Sequence, residues 1–488
     1  MTKLSRHINL HDLLLGFAPL EGRANPSITG LSLDCRQLQP DEAFVALAGR
    51  ECHGMDFFDA ALAAGAAAVI CDDQAAVPTA CSVPVIVVPA LAERLPELAR
   101  RFWGDPAGMD LVAVTGTNGK SSVAWLLAQA LGGAMIGTLG VGRPGAHQAT
   151  THTTPDVLSL HRMLAGLRND GIQTVVMEAS SHALDQQRLG GLAFSSVIFT
   201  TLGHDHLDYH VNPEAYGAAK AGLFRDYPSQ RQLINVDDAF GQKLAAELSN
   251  SPGLVRYALG SNAPAAVKGQ LINAGAEGLH GTINLDGKVL EVRSRLIGRV
   301  NFYNLLVVAA ELNARGVEFA EIARRVAGLD PVPGRMQPVA GGDGRCVIID
   351  YAHTPDALEN ALNSLSELGG SRLLCVFGCG GDRDRAKRPR MGRIAESLAD
   401  VVILTDDNPR HESSLAIIRE IQAGMRHPER CLVIPDRAEA IERALELAAT
   451  DDLVLIAGKG HESEQVIGNQ RHAFSDEAVV RGLLEIAA

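Results

Sequence analysis

Residues 111–131 read "LVAVTGTNGKSSVAWLLAQAL". The run "LVAV" has no polar alternation, as expected of a parallel strand covered on both faces. The stretch from Ser121 to Leu131 has the length and composition of a buried helix. Between them Gly116 and Gly119 free the backbone to turn its amides toward an anion, and the N-terminus of the helix adds a favourable dipole. Lys120 is placed to reach outer phosphates, and Ser121 or Ser122 to meet Mg²⁺. The spacing departs from the usual phosphate loop, whose first glycine would fall at Val114; here Thr117 and Asn118 lie inside a Gly116-x-x-Gly119-Lys120-Ser121 pattern. A plain glycine-rich turn is the competing reading. The order of strand, glycine turn, lysine, hydroxyl and helix points instead to a nucleoside triphosphate.

Working outward, strands and helices alternate on both sides. Downstream, "TVVMEAS" and "SSVIFTTLG" read as strands, and "DVLSLHRMLAGL" as a helix with Thr154 as cap and Pro155 in its first turn. A polar stretch with β-like segments, roughly 265–297, precedes the helix "NFYNLLVVAAELNARG", and the block ends near "PVPGRM", a candidate hinge. Upstream, "AFVALAG" and "AAVICDD" read as strands around the helix "DFFDAALAAGA", and "ARRFWGDPAG" (99–108) reads as a linker. From about 337 four apolar runs, "CVIID", "LLCVF", "VVILT" and "LVLIA", each lead into a dense polar loop. Such alternation implies a parallel sheet whose ligands bind beyond the carboxyl ends of the strands. The expected fold is α/β with three domains: 1–107, a central P-loop-type parallel sheet domain over 108–334, and a C-terminal Rossmann-like α/β domain over 335–488.

Several domains also follow from length, since 488 residues exceed the roughly 250–300 that one core sustains. The net charge of −13 argues against broad nucleic-acid binding. Eight cysteines without a CxxC pair read as reduced thiols; Cys375 and Cys379 have no nearby histidine to complete a metal site. The N-terminus lacks a signal-peptide pattern and no run reaches the ~20 apolar residues of a membrane span. The expectation is a cytoplasmic protein with no nucleic-acid or membrane partner, working as a monomer.

Glu178 ends one buried strand, and the next ends in "TTLGHDHLDYH". A carboxylate and His206 at neighbouring strand ends could share a divalent cation, although Mg²⁺ favours oxygen ligands. Lys220, in the Ala-rich "EAYGAAKAGLF", reads on its own as a surface lysine with a buried stem.

The ordered set "GTNGKSS", "MEASSHALDQQR", "DHLDYH", "GRVNFYN", "PGRM", "DYAHTPDAL", "FGCGGDRDRAKRPRMG", "TDDNPR" and "AGKGHE" resembles the Mur ligases of bacterial cell-wall synthesis across nearly the whole chain. The resemblance implies an N-terminal domain that holds a uridine nucleotide, a central domain for ATP and a C-terminal domain for an incoming amino acid. It implies that Gly116 to Ser122, Asn301, Asn304 and Arg335 lie on the ATP side. It further implies that Ser121, Glu178 and His206 help hold Mg²⁺, of which two ions are expected, and that Lys220 is carbamylated to an anionic metal ligand. Leu33 and Cys35 of "LSLDCR", with Thr153, Thr154, Ser180, Gln186 and Arg188, would contact UDP-N-acetylmuramoyl-L-alanyl-D-glutamate; the family often has serine where Cys35 stands. Asp350 and His353 would lie near the domain junction, and both are candidates for the base that takes the amine proton.

Within the family "DNPR" marks the enzymes that add meso-diaminopimelate. Arg410 offers a planar fork for a carboxylate, helped by Arg383, while Asp407, Asn408 and Glu462, with Pro409 and Gly458 in the same loops, would meet a polar end carrying an amine. Lysine-adding or folylpolyglutamate-type ligases are the close alternative. A regulatory P-loop ATPase is the distant one, and it leaves the four C-terminal polar loops unexplained.

Overall fold

The computed structural model describes residues 6–20, 22–49, 52–72, 81–150, 152–203, 205, 209–260, 264–275, 277–340 and 345–485. The chain divides into two compact units: Met1–Thr115 with Leu131–Ile198 and Leu207–Gln230, and Gly116–Ala130 with Phe199–His206 and Arg231–Ala488.

In the first unit Leu31–Ser32, Ala43–Ala46, Ala68–Cys71 and Val85–Val87 form a parallel four-stranded sheet. The two central strands are buried at every residue, which is why they appear in the sequence as unbroken apolar runs. The helix Leu91–Trp103 seals one side through Leu91, Leu95, Leu98, Ala99, Phe102 and Trp103. Residues 99–103 are therefore helix and core, not linker. Their apolar spacing continues the stripe begun at Leu91, and burying Phe102 and Trp103 outweighs the chain break that follows at Gly104.

Elsewhere in this unit Thr174–Glu178 pairs in parallel with Asp110–Thr115 on one side and Ala134–Gly137 on the other. The helix Val157–Asn169 beside it is capped by Asp156, whose Oδ1 accepts from Leu158 N and Ser159 N, both at 3.0 Å. The expected cap, Thr154, lies too far upstream to reach those amides. Its hydroxyl instead donates to Glu178 O at 2.7 Å and accepts from Ser180 N at 3.1 Å.

In the second unit the polar stretch resolves into an antiparallel meander of Val267–Gly275, Gly278–Leu285 and Lys288–Ser294. Alternating burial along its last strand accounts for the mixed composition. The helix Arg299–Ala314 is buried over most of its length. The unit's other sheet runs in the order Gln337–Ala340, Cys346–Asp350, Leu453–Ala457, Leu373–Phe377, Val401–Leu404, Leu432–Val433. All neighbours are parallel except the first pair, and separate apolar clusters cover its two faces. The strand that comes late in the chain, Leu453–Ala457, sits between Cys346–Asp350 and Leu373–Phe377. The loops after all four apolar runs thus open on one edge, at a topological switch point.

Candidate active site

The loop Gly116–Gly119 follows the strand Asp110–Thr115 and leads into the helix Lys120–Leu131. Gly116 (φ 148°) and Gly119 (φ 85°) adopt backbone conformations that side chains resist. A Cβ on Gly116 would overlap Thr200 Oγ1. Residues 200–203 brace the loop: Thr117 N donates to Thr201 O at 2.7 Å, Gly203 N to Thr117 Oγ1 at 2.8 Å, and Thr200 Oγ1 to Asn118 O at 2.6 Å. Lys120 Nζ folds back over the loop and donates to Gly116 O (2.8 Å) and Thr117 O (2.9 Å). Ser121 and Ser122 are buried, and Ser121 Oγ accepts from Arg335 Nη2 at 3.2 Å. Asn304 Nδ2 donates to Asn301 Oδ1 at 2.9 Å, and Asn304 Oδ1 would lie 3.5 Å from a Cβ on Gly119. The loop, both asparagines and Arg335 therefore come together. Arg335 Nε is buried without a partner; with the Lys120 ammonium it forms a donor set suited to a polyanion.

In the first unit Glu178 is buried, its Oε1 accepting from Thr138 N at 2.7 Å and its Oε2 facing Thr138 Oγ1 at 3.3 Å. Gly137 admits it, since a Cβ there would overlap the carboxylate. Thr153 Oγ1 lies 3.0 Å from Thr138 Oγ1. Arg188 donates to Thr154 O at 2.8 Å and grips Gln186 Oε1 from Nε and Nη2 at 3.0 and 2.7 Å. Ser180 caps the next helix by accepting from Ala183 N. Thr153, Thr154, Ser180, Gln186 and Arg188 thus surround the end of the Glu178 strand. Leu33 packs on the apolar cluster that includes Val157 and Leu158, whereas Cys35 packs on a separate cluster with Phe44 and Met55. Lys220 is not the surface lysine its context suggests: it is 1% exposed, 4.4 Å above the Tyr216 ring. His206 lies outside the described residues. Among the described residues no group of three His, Cys, Asp or Glu gathers as a metal site.

The third group stands at the strand ends of the C-terminal sheet. Gly380 is flanked by Arg410 Nη1 and the Arg383 stem, 2.9 and 3.6 Å from where its Cβ would be. Arg410 takes φ 49°, a costly value for a side-chain-bearing residue. Its Nη1 donates to Gly381 O at 2.9 Å and its backbone N to Val466 O at 3.0 Å. Asp407 is buried against Gly458, and burial pushes its carboxyl up despite Arg437 and Lys459 nearby. Asn408 Nδ2 donates to Glu462 Oε2 at 2.9 Å. Pro409 is buried in the same loop, and its carbonyl abuts Gly381. All seven expected residues are gathered here.

Asp350 ends the strand Cys346–Asp350, and His353 lies in the loop that follows it. Asp350 Oδ2 accepts from Met336 N at 2.6 Å, and burial raises its carboxyl. Burial and the neighbouring Lys387 push the His353 imidazole down to about 4. Because the Tyr351 carbonyl 2.8 Å from Nδ1 can only accept, Nδ1 carries the proton and Nε2 the lone pair.

Three fully buried cations escaped the sequence reading. Arg388 donates to both Glu412 oxygens at 2.8 Å, to Glu420 at 2.8 Å and to Gly380 O at 3.0 Å. Arg437 makes a bidentate pair with buried Asp476 at 2.7 and 2.8 Å and donates to Ala457 O at 3.0 Å. Lys459 reaches Asn408, Glu462 and Glu464. The acids paired with Arg388 and Arg437, and the Asn408 partner of Lys459 51 residues away, lie beyond any local pattern, although Glu462 is three residues from Lys459; the available signal was the density of charge in short loops after apolar strands.

A glycine-turned phosphate loop beside a separate strand-end pocket lined by both charge signs defines a nucleotide-dependent ligase. The chain belongs to the Mur ligase family: the family's catalytic domain matches residues 27–103, its middle domain 114–312 and its glutamate ligase domain 334–460. It is 46% identical over 459 residues, 93% of each chain, to the UDP-N-acetylmuramoyl-L-alanyl-D-glutamate--2,6-diaminopimelate ligase of Xanthomonas campestris pv. campestris. It is 45% identical over 469 residues to the Pseudomonas aeruginosa protein of that name, covering 92% of this chain and 93% of the other. A solved structure described under the same name is 34% identical, covers 98% of this chain and 99% of its own, and superposes with a TM-score of 0.68.

Proposed function

We propose that this chain joins 2,6-diaminopimelate, in its meso form, to the D-glutamate of UDP-N-acetylmuramoyl-L-alanyl-D-glutamate at the expense of ATP, in the cytoplasm, as a step of peptidoglycan precursor synthesis. The observation that carries the reading is the pocket at the C-terminal strand ends. It gathers the guanidinium group of Arg410 and the stem of Arg383 with the carboxyl groups of Asp407 and Glu462, which suits an amino acid zwitterionic at both ends. Identity with relatives of that name supports the same substrate pair.

The roles divide as three domains, 1–107 for the uridine nucleotide, 108–334 for ATP and 335–488 for the amino acid. The γ-carboxylate of the D-glutamyl residue attacks the γ-phosphorus of ATP and ADP leaves, giving an acyl phosphate. The diaminopimelate amine then attacks the acyl carbon and phosphate departs with the electron pair. Lys120, Arg335 and the loop amides hold phosphate oxygens and offset their charge, the larger part of catalysis in phosphoryl transfer. Mg²⁺ ions, two of which are expected, would neutralise further charge; Ser121, Glu178 and His206, and for the second ion a carbamylated Lys220, are the ligands that the family resemblance suggests. The leaving amine proton goes to His353 Nε2 or Asp350.

Phosphate release tests the reading. It should require UDP-muramoyl-dipeptide and diaminopimelate together; release with ATP alone would favour a regulatory ATPase, and equal turnover with lysine would favour a different amino-acid specificity. Lys220→Ala should be nearly inactive and partly rescued by a short-chain carboxylic acid, and full activity in that variant would remove the carbamate from the scheme.

A further inference from the structure

Lys459 is fully buried in the loop that follows the strand Leu453–Ala457, within "AGKGHE". An ammonium has three donors, and all three are committed: Asn408 Oδ1 at 3.2 Å, Glu462 Oε2 at 2.9 Å and Glu464 O at 2.7 Å. None is left for a ligand. Asn408 Oδ1 also accepts from Val466 N at 2.9 Å, which fills its two lone pairs and turns the Asn408 amide nitrogen toward Glu462 Oε2, 2.9 Å away. Glu462 Oε2 therefore receives two protein donors. Glu462 Oε1 takes no hydrogen bond from Lys459 or Asn408.

Resting on the reading of this pocket as the amino-acid site, we propose that Lys459 is a positioning residue that fixes Glu462 as an oriented carboxylate, with Oε1 presented to the substrate's ammonium group. A carboxylate in this place needs such help. Burial pushes the Glu462 carboxyl up, and the Lys459 ammonium and Asn408 amide, with His461, bring it below the ordinary value. The Tyr351 phenol also hydrogen-bonds to Glu462, and the buried Asp407 carboxyl and Arg437 face it. Asp407 opposes ionisation of Glu462 by like charge. Lys459 is the cation bonded directly to Glu462.

The test uses the full-length enzyme and steady-state kinetics. Lys459→Met keeps the chain length and removes the charge. It should raise the KM for diaminopimelate by at least about tenfold, the scale of a lost charge-assisted contact, while leaving the KM for ATP unchanged. The acid limb of kcat/KM for diaminopimelate should move to higher pH, because burial of Glu462 is then unopposed; a packing role alone would not move it. An unmoved limb together with an unchanged KM overturns the proposal. Should the methionine variant fail to fold, Lys459→Arg keeps the charge but breaks the three-to-three donor match, so KM should rise with the limb in place; a wild-type KM there also overturns it. Glu462→Gln separates the two levels. A wild-type KM in that variant sinks the pocket reading itself, whereas a raised KM beside an unaffected Lys459→Met sinks only the role of Lys459.

Discussion

At the phosphate loop, shape is carried by backbone: two glycines in conformations closed to other residues, threonines bracing the turn, and a lysine bonded to carbonyls of its own loop. In the amino-acid pocket shape is carried by side chains, with Arg388, Arg437 and Lys459 wholly buried: the two arginines are tied to acids distant in sequence, and Lys459 to Glu462 in its own loop and to distant Asn408. The contrast teaches where each site is vulnerable. The first is broken by adding an atom, the second by removing a charge. A backbone cradle suits a ligand recognised by its phosphates, whereas a charge lattice can be tuned to one amino acid among many.

The sharpest way to break the comparison is Arg437→Met. It leaves Asp476 buried and unpaired, and should destabilise the C-terminal half by about 3–5 kcal/mol, read as a lower midpoint in urea. Replacing Arg437 and Asp476 together with apolar residues should recover most of the loss; no loss in the single variant would show that the pair does not hold the pocket. Gly116→Ala comes next, with a cost of about 1–3 kcal/mol for a strained backbone position and weakened nucleotide binding by calorimetry. Thr200→Ala should relieve the overlap with Oγ1 but not the backbone strain, so rescue should be partial. Complete rescue would place the defect in the side chain rather than the backbone.

The smallest effect concerns Glu412, which Arg388 holds down to about 2 from an ordinary 4.5. A depressed carboxyl stabilises fully above its unfolded value and loses that contribution as pH falls toward its folded one. The stability gap between wild type and Glu412→Gln should therefore be widest near neutrality and shrink from pH 4.5 toward 2. A gap independent of pH would assign the effect to packing.

The parallel strands were legible because burial on both faces leaves unbroken apolar runs such as "LLCVF" and "LVLIA", and the phosphate loop because its chemistry lies within seven consecutive residues. Phe102 and Trp103 were misread because the Gly104 break hid a stripe reaching back to Leu91. Thr154 and Asp156 are both good caps, and only the long-range bond from Thr154 to Glu178 decides between them. For Arg388 and Arg437 the charge density of their loops was the one signal, since a buried cation is defined largely by partners the chain meets only after folding, and Lys459 stood in a quoted motif without its burial being legible. Lys220 failed for the complementary reason: an alanine-rich helix is equally at home at a surface or in a core.

Gly334 (φ 64°) and Gly460 (φ 53°) stand back to back. A Cβ on Gly334 would overlap Gly460 and His461 backbone, and one on Gly460 would come within 2.8 Å of Gly334 O. For anyone seeking to redirect this enzyme to a new amino acid, that contact sets a boundary on the search. The strand Gln470–Ala473 can be randomised, because its residues are solvent-facing, whereas Val466 and Gly468 at the hairpin tip bond the Arg410 backbone. The two glycines belong among the invariant positions of any library: a substitution at either would separate the segment leading into the sheet from the loop that carries Lys459, and would erase the pocket while appearing to reshape it.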